Sequence, residues 1–334
     1  MENKDSKLNK LNLPSLKKPS GGIVKKSDSK PIKSLDLESI KKKAEVSKIV
    51  KQESIKKQMH QKRQENKGLD LVLIGDFTDS MYEYREILRK KFKELCQVLI
   101  KIIPNLRIGI VFYLDHGAYP HYFQPNRNPY ITKMHKISVD IESLANFIDS
   151  TPIGNGIDWE EAVEDALNDA LNMNWNEINT RSIVLFGDAR AHEPNECNRG
   201  YDYFELTKKL YDSKVTINTV FCGESRDYKN ISDLYDIDIG DFSKRVSRLN
   251  DDEFFSWIAN VTGGVAIGVE QIDDIVDIIK AMAAKDAGKI DELEEETLKI
   301  SHKPIPALKH IKEKAKQIEN KKKLLGIGYD GESS

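Results

Sequence analysis

The 334-residue sequence lacks the features of secreted, disulfide-stabilised and membrane-spanning proteins. It has only three cysteines, which cannot form a paired framework, and Cys96 and Cys222 lie in apolar patterns typical of reduced core residues. No apolar run reaches the roughly 18 residues of a membrane span. The Lys-rich N-terminus also lacks the apolar centre of a secretory signal. These absences predict a soluble, cytoplasmic protein, with a nuclear location left open.

Charge is distributed unevenly along the chain. The overall net charge is −2. Residues 1–68 are basic, with about 19 Lys and Arg against about 8 Asp and Glu, and the rest of the chain has a net charge of about −13. We expect residues 1–34 to be disordered and a Lys-rich helix to begin near residue 35. Because this tail has no interleaved aromatic residues, any contact with nucleic acid or an anionic membrane would be electrostatic and salt-sensitive.

The middle of the chain, residues 69–285, alternates apolar strands with amphipathic helices. The strand patterns occupy residues 71–74, 106–114, 134–139, 182–186, 215–221 and 265–268, and the clearest helical patterns occupy residues 81–103, 140–149, 203–211 and 271–283. This alternation predicts an α/β domain with a Rossmann-like, doubly wound, mainly parallel sheet of about six strands flanked by helices. Residues 224–250 are expected to form a polar insertion. Residues 286–334 are expected to form a charged helical tail that frays at its end.

The first predicted strand leads directly into oxygen-bearing side chains. Asp76, Thr78 and Ser80 follow the apolar run of residues 71–74 at spacings of two. In open α/β sheets, ligand sites lie where the chain leaves the carboxyl ends of such strands. One carboxylate and two hydroxyls form an all-oxygen ligand set, which suits a hard cation such as magnesium. The alternative is an ordinary helix start with Ser80 as its N-cap.

Two later aspartates are expected at the same edge of the sheet. Asp158 follows a loop with two glycines and stands where a helix is predicted to begin, and Asp188 ends a second strand with the sequence Gly-Asp. Crowded carboxylates repel one another unless a cation lies between them. The sequence therefore predicts one magnesium or manganese site formed by five residues: Asp76, Thr78, Ser80, Asp158 and Asp188. Helix capping remains the alternative role for Asp158.

Five separated motifs within residues 69–285 resemble, in the same order, those of von Willebrand factor A (vWA) domains with a metal-ion-dependent adhesion site (MIDAS). The subgroup found beside alpha-kinase domains is the closer match, with motifs D-C-T-G-S-M, G-G-G-D-x-P-E and D-A-P-P-H. The corresponding segments are DFTDSM (76–81), GNGIDWEE (154–161) and DARAH (188–192), and YLDHG (113–117) and TGG (262–264) also fit. This chain has one extra residue before Asp158, Asp79 in place of glycine, and no prolines in the third motif. The last 50 residues are too short for a kinase domain.

The resemblance implies an intracellular protein-interaction module, in which a divalent cation bridges the domain to an acidic residue of a protein partner. The alternative is a magnesium-dependent phosphotransferase or hydrolase with an aspartate nucleophile. Against it, the haloacid-dehalogenase type carries a second aspartate two residues after the nucleophile, where this chain has Thr78. His192 is also a better candidate for a surface or packing role than for a general base. We therefore expect a binding protein and not an enzyme.

Overall fold

In a computed structural model of the chain, the described residues are 67–116, 129–156, 158–224, 231–301, 304–305 and 307–327. The disorder predicted for residues 1–34 and the helix predicted from about residue 35 lie outside them. The same is true of residues 328–334, where the chain was expected to fray.

Within the described residues, six strands form one sheet that is buried between helices. The strands are β1 (Leu69–Asp76), β2 (Arg107–Tyr113), β3 (Thr132–Ser138), β4 (Thr180–Gly187), β5 (Val215–Phe221) and β6 (Ala266–Gly268). Their order across the sheet is β3-β2-β1-β4-β5-β6, and neighbours are parallel except for the antiparallel pair β2 and β3. All eight residues of the central strand β1 are buried, as a strand covered on both faces requires. The predicted doubly wound, mainly parallel sheet is confirmed.

Helices cover both faces of the sheet and create two separate cores. They are α1 (Tyr82–Ile102), α2 (Ile141–Ser150), α3 (Val163–Leu171), α4 (Tyr203–Asp212), α5 (Asp251–Thr262), α6 (Ile275–Asp286), α7 (Ile290–Ser301) and α8 (Leu308–Leu324). Leu71 and Leu73 of β1 pack in the core that contains α1, α2 and α6. Val72 and Ile74 pack in the core that contains α3, α4 and α5. Successive side chains of a strand alternate between the faces, so one apolar run supplies both cores.

The predicted helix start at Asp158 is wrong. Helix α3 begins at Val163, and Asp158 lies in the preceding loop. The backbone explains the difference, because the N–H of Glu161 donates to the carbonyl of Arg190 and the N–H of Ala162 donates to the carbonyl of Leu114. These bonds hold residues 161–162 against two neighbouring loops, so the helix starts only after them.

Helices α7 and α8 bury apolar side chains against the domain. Leu293 of α7, Ile305 in the connection, and Leu308 and Ile311 of α8 are at most 3% exposed and belong to the same core as α1 and α6. Helices α7 and α8 lie in the segment predicted as a charged helical tail, and their outer surface carries charged side chains. Their inner surface, however, extends the hydrophobic core.

The described part of the predicted insertion, residues 231–250, is anchored to the domain. Ile231, Ile239 and Val246 are buried, and Tyr203 donates a hydrogen bond from its hydroxyl to the carbonyl of Val246 at 3.2 Å. The segment contains the short 3-10 turn Ile231–Asp233 but no longer helix or strand in this range.

The topology brings the carboxyl ends of three strands to one place. Strand β1 lies between β2 and β4 and is parallel to both, with Asp76 level with Tyr113 on β2 and Gly75 level with Phe186 on β4. The chain leaves β1 through α1 toward β2, whereas β4 lies on the opposite side of β1. Such a reversal in strand order opens a crevice at the carboxyl edge, the usual ligand-binding position of this fold class.

Candidate metal centre

The segment after β1 forms a turn in which hydroxyls gather around one carboxylate. Oδ1 of Asp76 accepts hydrogen bonds from the backbone N–H and from Oγ1 of Thr78, at 2.8 and 2.6 Å. Oγ1 of Thr78 lies 3.2 Å from Oγ of Ser80. Asp76 and Thr78 are buried and Ser80 is exposed, so the turn opens to solvent at Ser80. Ser80 lies inside the 3-10 turn Asp79–Met81 that Thr78 precedes, and its alternative role as N-cap is therefore wrong.

Asp188 reaches the same place from the end of β4. Its carboxylate interacts with that of Asp76, and burial followed by the charge of Asp188 raises the pKa of Asp76 to about 8. The hydrogen bonds from Thr78 act in the opposite direction. The close approach depends on Gly187, where an added Cβ would lie 2.4 Å from the hydroxyl of Tyr113 and 3.2 Å from Cβ of Asp76. Four of the five predicted ligands are thus brought together.

Glu161 is a fifth residue of this centre and its third carboxylate, and the sequence did not predict it. It is 5% exposed. Burial, followed by the charges of Asp76, Asp115 and Asp188, raises the pKa of Glu161 to about 10. Its position in the loop motif, as the glutamate that ends G-G-G-D-x-P-E, was the available signal.

Two carboxylate oxygens of the centre have no hydrogen-bond partner among the described residues. Oδ2 of Asp76 and Oε2 of Glu161 are both buried and unbonded. A buried, unpaired carboxylate oxygen is costly, since it has lost its hydration without compensation. The donors are carboxylates and hydroxyls only, with no thiol or imidazole among them. This set fits a hard divalent cation such as Mg²⁺ or Mn²⁺, which would neutralise the crowded carboxylates.

Asp158, the remaining predicted ligand, contacts a different group of side chains. Its Oδ1 accepts a hydrogen bond from the N–H of Glu160 at 3.2 Å and lies 3.5 Å from Nε2 of His192. Asp115, from the loop after β2, lies 3.4 Å from the same nitrogen. Asp115, Asp158 and His192 have ligand atoms within 4.8 Å of one another. The structure therefore places Asp158 beside His192.

His192 is buried and is held in an ionic network. Its side chain is 3% exposed, and its Nδ1 lies 3.2 Å from Oε1 of Glu164. Burial alone would favour the neutral ring, but the carboxylates of Asp115, Asp158 and Glu164 raise the pKa of His192 to about 12. Of the two roles favoured for this histidine, a surface position is excluded and a structural, packing position agrees with the geometry.

No protein-family profile matches the chain, and none of the curated proteins is significantly similar to it. Similar solved structures include the conserved hypothetical protein BatB from Bacteroides thetaiotaomicron, with 16% identity, a TM-score of 0.42 and coverage of 66% of this chain and 100% of that one. An aerotolerance-related membrane protein from Bacteroides fragilis has 19% identity, a TM-score of 0.39 and coverage of 65% and 100%. The SpRpn10 VWA domain has 14% identity, a TM-score of 0.41 and coverage of 63% and 95%.

None of the described helices is both long enough and apolar enough to cross a bilayer.

Proposed function

We propose that this chain is a protein-interaction module of the vWA type, which binds an acidic side chain of a partner protein through a magnesium or manganese ion. Asp76, Thr78, Ser80 and Asp188 would hold the ion, with Glu161 beside them. Asp158 remains a predicted member of the site, contributed by the same loop as Glu161. When bound, the ion would supply a positive charge with a coordination position open to an incoming carboxylate.

The observation that carries the proposal is the pair of unbonded, buried carboxylate oxygens, Oδ2 of Asp76 and Oε2 of Glu161. A purely structural cluster would be expected to satisfy both with hydrogen bonds. The accessible part of the centre consists of exposed Ser80 and half-buried Asp188. This accessibility supports binding to a macromolecule, because a partner side chain can approach without opening the core.

The loop beside the centre supplies a surface for further contact. Trp159, next to Asp158, is 89% exposed, which is unusual for so large an apolar side chain. Tryptophan is enriched among the residues that dominate the energy of protein interfaces. We infer that Trp159 packs against the partner while the ion binds its carboxylate.

The metal-binding part of the proposal is tested by titrating Mg²⁺ and Mn²⁺ into the full chain and into two matched variants. Asp76→Ala removes a buried carboxylate of the centre, whereas Asp79→Ala removes an exposed carboxylate from the adjacent turn. Calorimetry should show that wild type and Asp79→Ala each bind one ion. At a free metal concentration of about 100 times the Kd, the ion should raise the free energy of unfolding of both proteins by about 2.7 kcal/mol. Asp76→Ala should show neither effect. An equal response of all three proteins would reject this metal site.

The partner-binding part is tested by affinity capture with the same proteins. A partner retained by wild type and Asp79→Ala should be lost with Asp76→Ala and with chelator, and combining the two treatments should add little because both remove the same ion. Changing the partner's own acidic residue to an amide should have the same effect. A phosphatase or hydrolase activity that disappears in Asp76→Asn would instead support the enzyme alternative. Capture that survives every treatment would place the binding surface elsewhere.

A further inference from the structure

A second, chemically different cluster lies beneath the loops at the carboxyl edge. It contains four residues from three segments: His116 after β2, Glu164 and Asp165 in the first turn of α3, and Cys197 in the loop after β4. All four are at most 8% exposed. Their ligand atoms lie within 4.8 Å of one another. Because the segments are far apart in sequence, only the folded chain brings these side chains together.

The distances within the cluster bracket those expected around a small tetrahedral ion. Nε2 of His116 lies 2.7 Å from Oε1 of Glu164 and 3.3 Å from Oδ2 of Asp165. Sγ of Cys197 lies 3.9 Å from the same Oδ2. Nitrogen, oxygen and sulfur ligands at zinc distances of about 2.0–2.3 Å are separated from one another by about 3.3–3.5 Å in tetrahedral geometry. The observed separations lie on both sides of this value, so small side-chain movements would enclose an ion.

One nitrogen of the cluster is buried and has no hydrogen bond among the described residues, namely Nδ1 of His116. Oδ1 of Asp165 also has no hydrogen bond, but it forms an ion pair with Arg199 at 2.8 Å. His116 is 8% exposed and Asp165 is 1% exposed. The imidazole of His116 has therefore lost its hydration at Nδ1 without a hydrogen bond in return.

We propose that His116, Glu164, Asp165 and Cys197 bind one zinc ion with a structural role. A thiolate and an imidazole are ligands that zinc accepts and that magnesium rarely takes, so this site differs in chemistry from the all-oxygen centre at Asp76. Four protein ligands would complete a tetrahedral shell and leave no position for substrate, which is the arrangement of structural zinc sites. His192, which faces Glu164, would orient that carboxylate.

The position of the cluster defines what the zinc ion would stabilise. Cys197 belongs to the loop that follows Asp188, and His116 belongs to the loop that follows β2. Glu164 and Asp165 belong to a helix whose first turn is buried. One ion would therefore hold two edge loops against α3. A site of this kind does not depend on partner binding at the first centre, so the two proposals can fail separately.

The test is cobalt substitution of the full chain after removal of bound metal. Wild type titrated with Co²⁺ should develop a thiolate-to-cobalt charge-transfer absorption in the near ultraviolet that saturates at one equivalent and disappears when zinc is added. Cys197→Ser should lose this absorption. Cys96→Ala, which removes a buried thiol from α1, should retain it. Asp76→Ala should also retain it, because the all-oxygen centre has no thiolate.

Several results would overturn the zinc site. They are a wild type without thiolate absorption at one equivalent of cobalt, an absorption that persists in Cys197→Ser, and an absorption that is lost in Asp76→Ala. Near-ultraviolet circular dichroism shows whether Cys197→Ser folds. If it does not, the presence or absence of the cobalt absorption in wild type decides the question. His116→Gln keeps the thiol but removes the imidazole, and it should weaken zinc binding at least tenfold. Unchanged zinc affinity in that variant would also contradict the proposal.

Discussion

At the scale of single residues, the two oxygens of one carboxylate can have opposite environments. Oδ1 of Asp76 accepts two hydrogen bonds from Thr78, whereas Oδ2 has no hydrogen bond among the described residues. Oε2 of Glu161 is also buried and has no hydrogen bond among the described residues. Burial and neighbouring charge make ionisation of both residues difficult in the absence of a cation, which is why the pKa of each is raised. Ion binding would remove this cost.

Glu161→Gln should distinguish the destabilising effect of the buried carboxyl group in the metal-free protein from its contribution to metal binding. With its pKa at about 10, Glu161 is protonated near neutral pH in the metal-free folded protein but ionised in the unfolded chain, so folding requires the uptake of a proton. The amide has no such requirement and should therefore raise the free energy of unfolding in chelator near neutral pH. Stabilisation by saturating Mg²⁺, measured by thermal unfolding, should be smaller in the variant. Asp79→Asn is the control and should respond to Mg²⁺ as wild type does.

The raised pKa of Glu161 should make the free energy of unfolding of the metal-free protein depend on pH. The pKa of Glu161 in the folded chain lies above its ordinary value of 4.5, so the folded state binds the proton more tightly than the unfolded state. Its contribution to stability is complete below about pH 4.5 and is lost as the pH rises toward about 10. In chelator, wild type should therefore show a steeper loss of stability across this range than Glu161→Gln. Parallel pH profiles would contradict the assignment.

At the scale of elements, the loop between Thr151 and α3 has one buried side and one exposed side. Its buried side carries Glu161, whose N–H bonds to the carbonyl of Arg190 and fixes the loop to the segment after β4. Its outer side carries Trp159. Near the start of the loop, the N–H of Gly154 donates to the carbonyl of Phe77 at 3.2 Å. The loop is thus anchored at both ends and presents Trp159 outward.

Trp159→Ala should weaken partner capture without altering the fold or the affinity for Mg²⁺. The side chain is 89% exposed, so its removal should change the free energy of unfolding by no more than about 0.5 kcal/mol. Loss of a tryptophan anchor from an interface commonly costs about 2 kcal/mol or more in binding, roughly a thirtyfold loss of affinity. Ile178→Ala is the control, because Ile178 is 53% exposed and precedes β4 at the opposite edge of the sheet. Equal effects of the two variants would argue against a specific role for Trp159.

At the scale of the whole molecule, the C-terminal helices belong to the hydrophobic core. Leu293 and Ile311 are fully buried in the cluster that includes α1 and α6. On the outer surface, Lys312 of α8 forms ion pairs with Asp291 and Glu294 of α7, at 2.7 and 2.5 Å. These partly exposed pairs add little stability, and the apolar contacts beneath them dominate.

Ile311→Ala should destabilise the protein by about 2–5 kcal/mol, the usual cost of truncating a fully buried isoleucine. Leu324→Ala, at the end of the same helix and 87% exposed, should change stability by about 0.5 kcal/mol or less. Denaturant unfolding of the full chain measures both. Limited proteolysis provides an independent check, because a protected core that includes α8 is expected. Rapid cleavage after residue 285, leaving a stable shorter core, would contradict this result.

The sequence by itself determined the alternation of strands and helices, because the side-chain periods of 2 and 3.6 residues are local properties. It also placed Asp76 and Asp188 at one edge, since parallel strands end on the same side of a sheet. Tertiary structure decided which side chains face one another across the loops. Backbone bonds between residues distant in sequence, such as Glu161 N–H to Arg190 carbonyl, directed Glu161 inward and delayed α3 until Val163. The meeting of His116 with Cys197 and the burial of Ile311 likewise depend on contacts between distant segments, which no local pattern records.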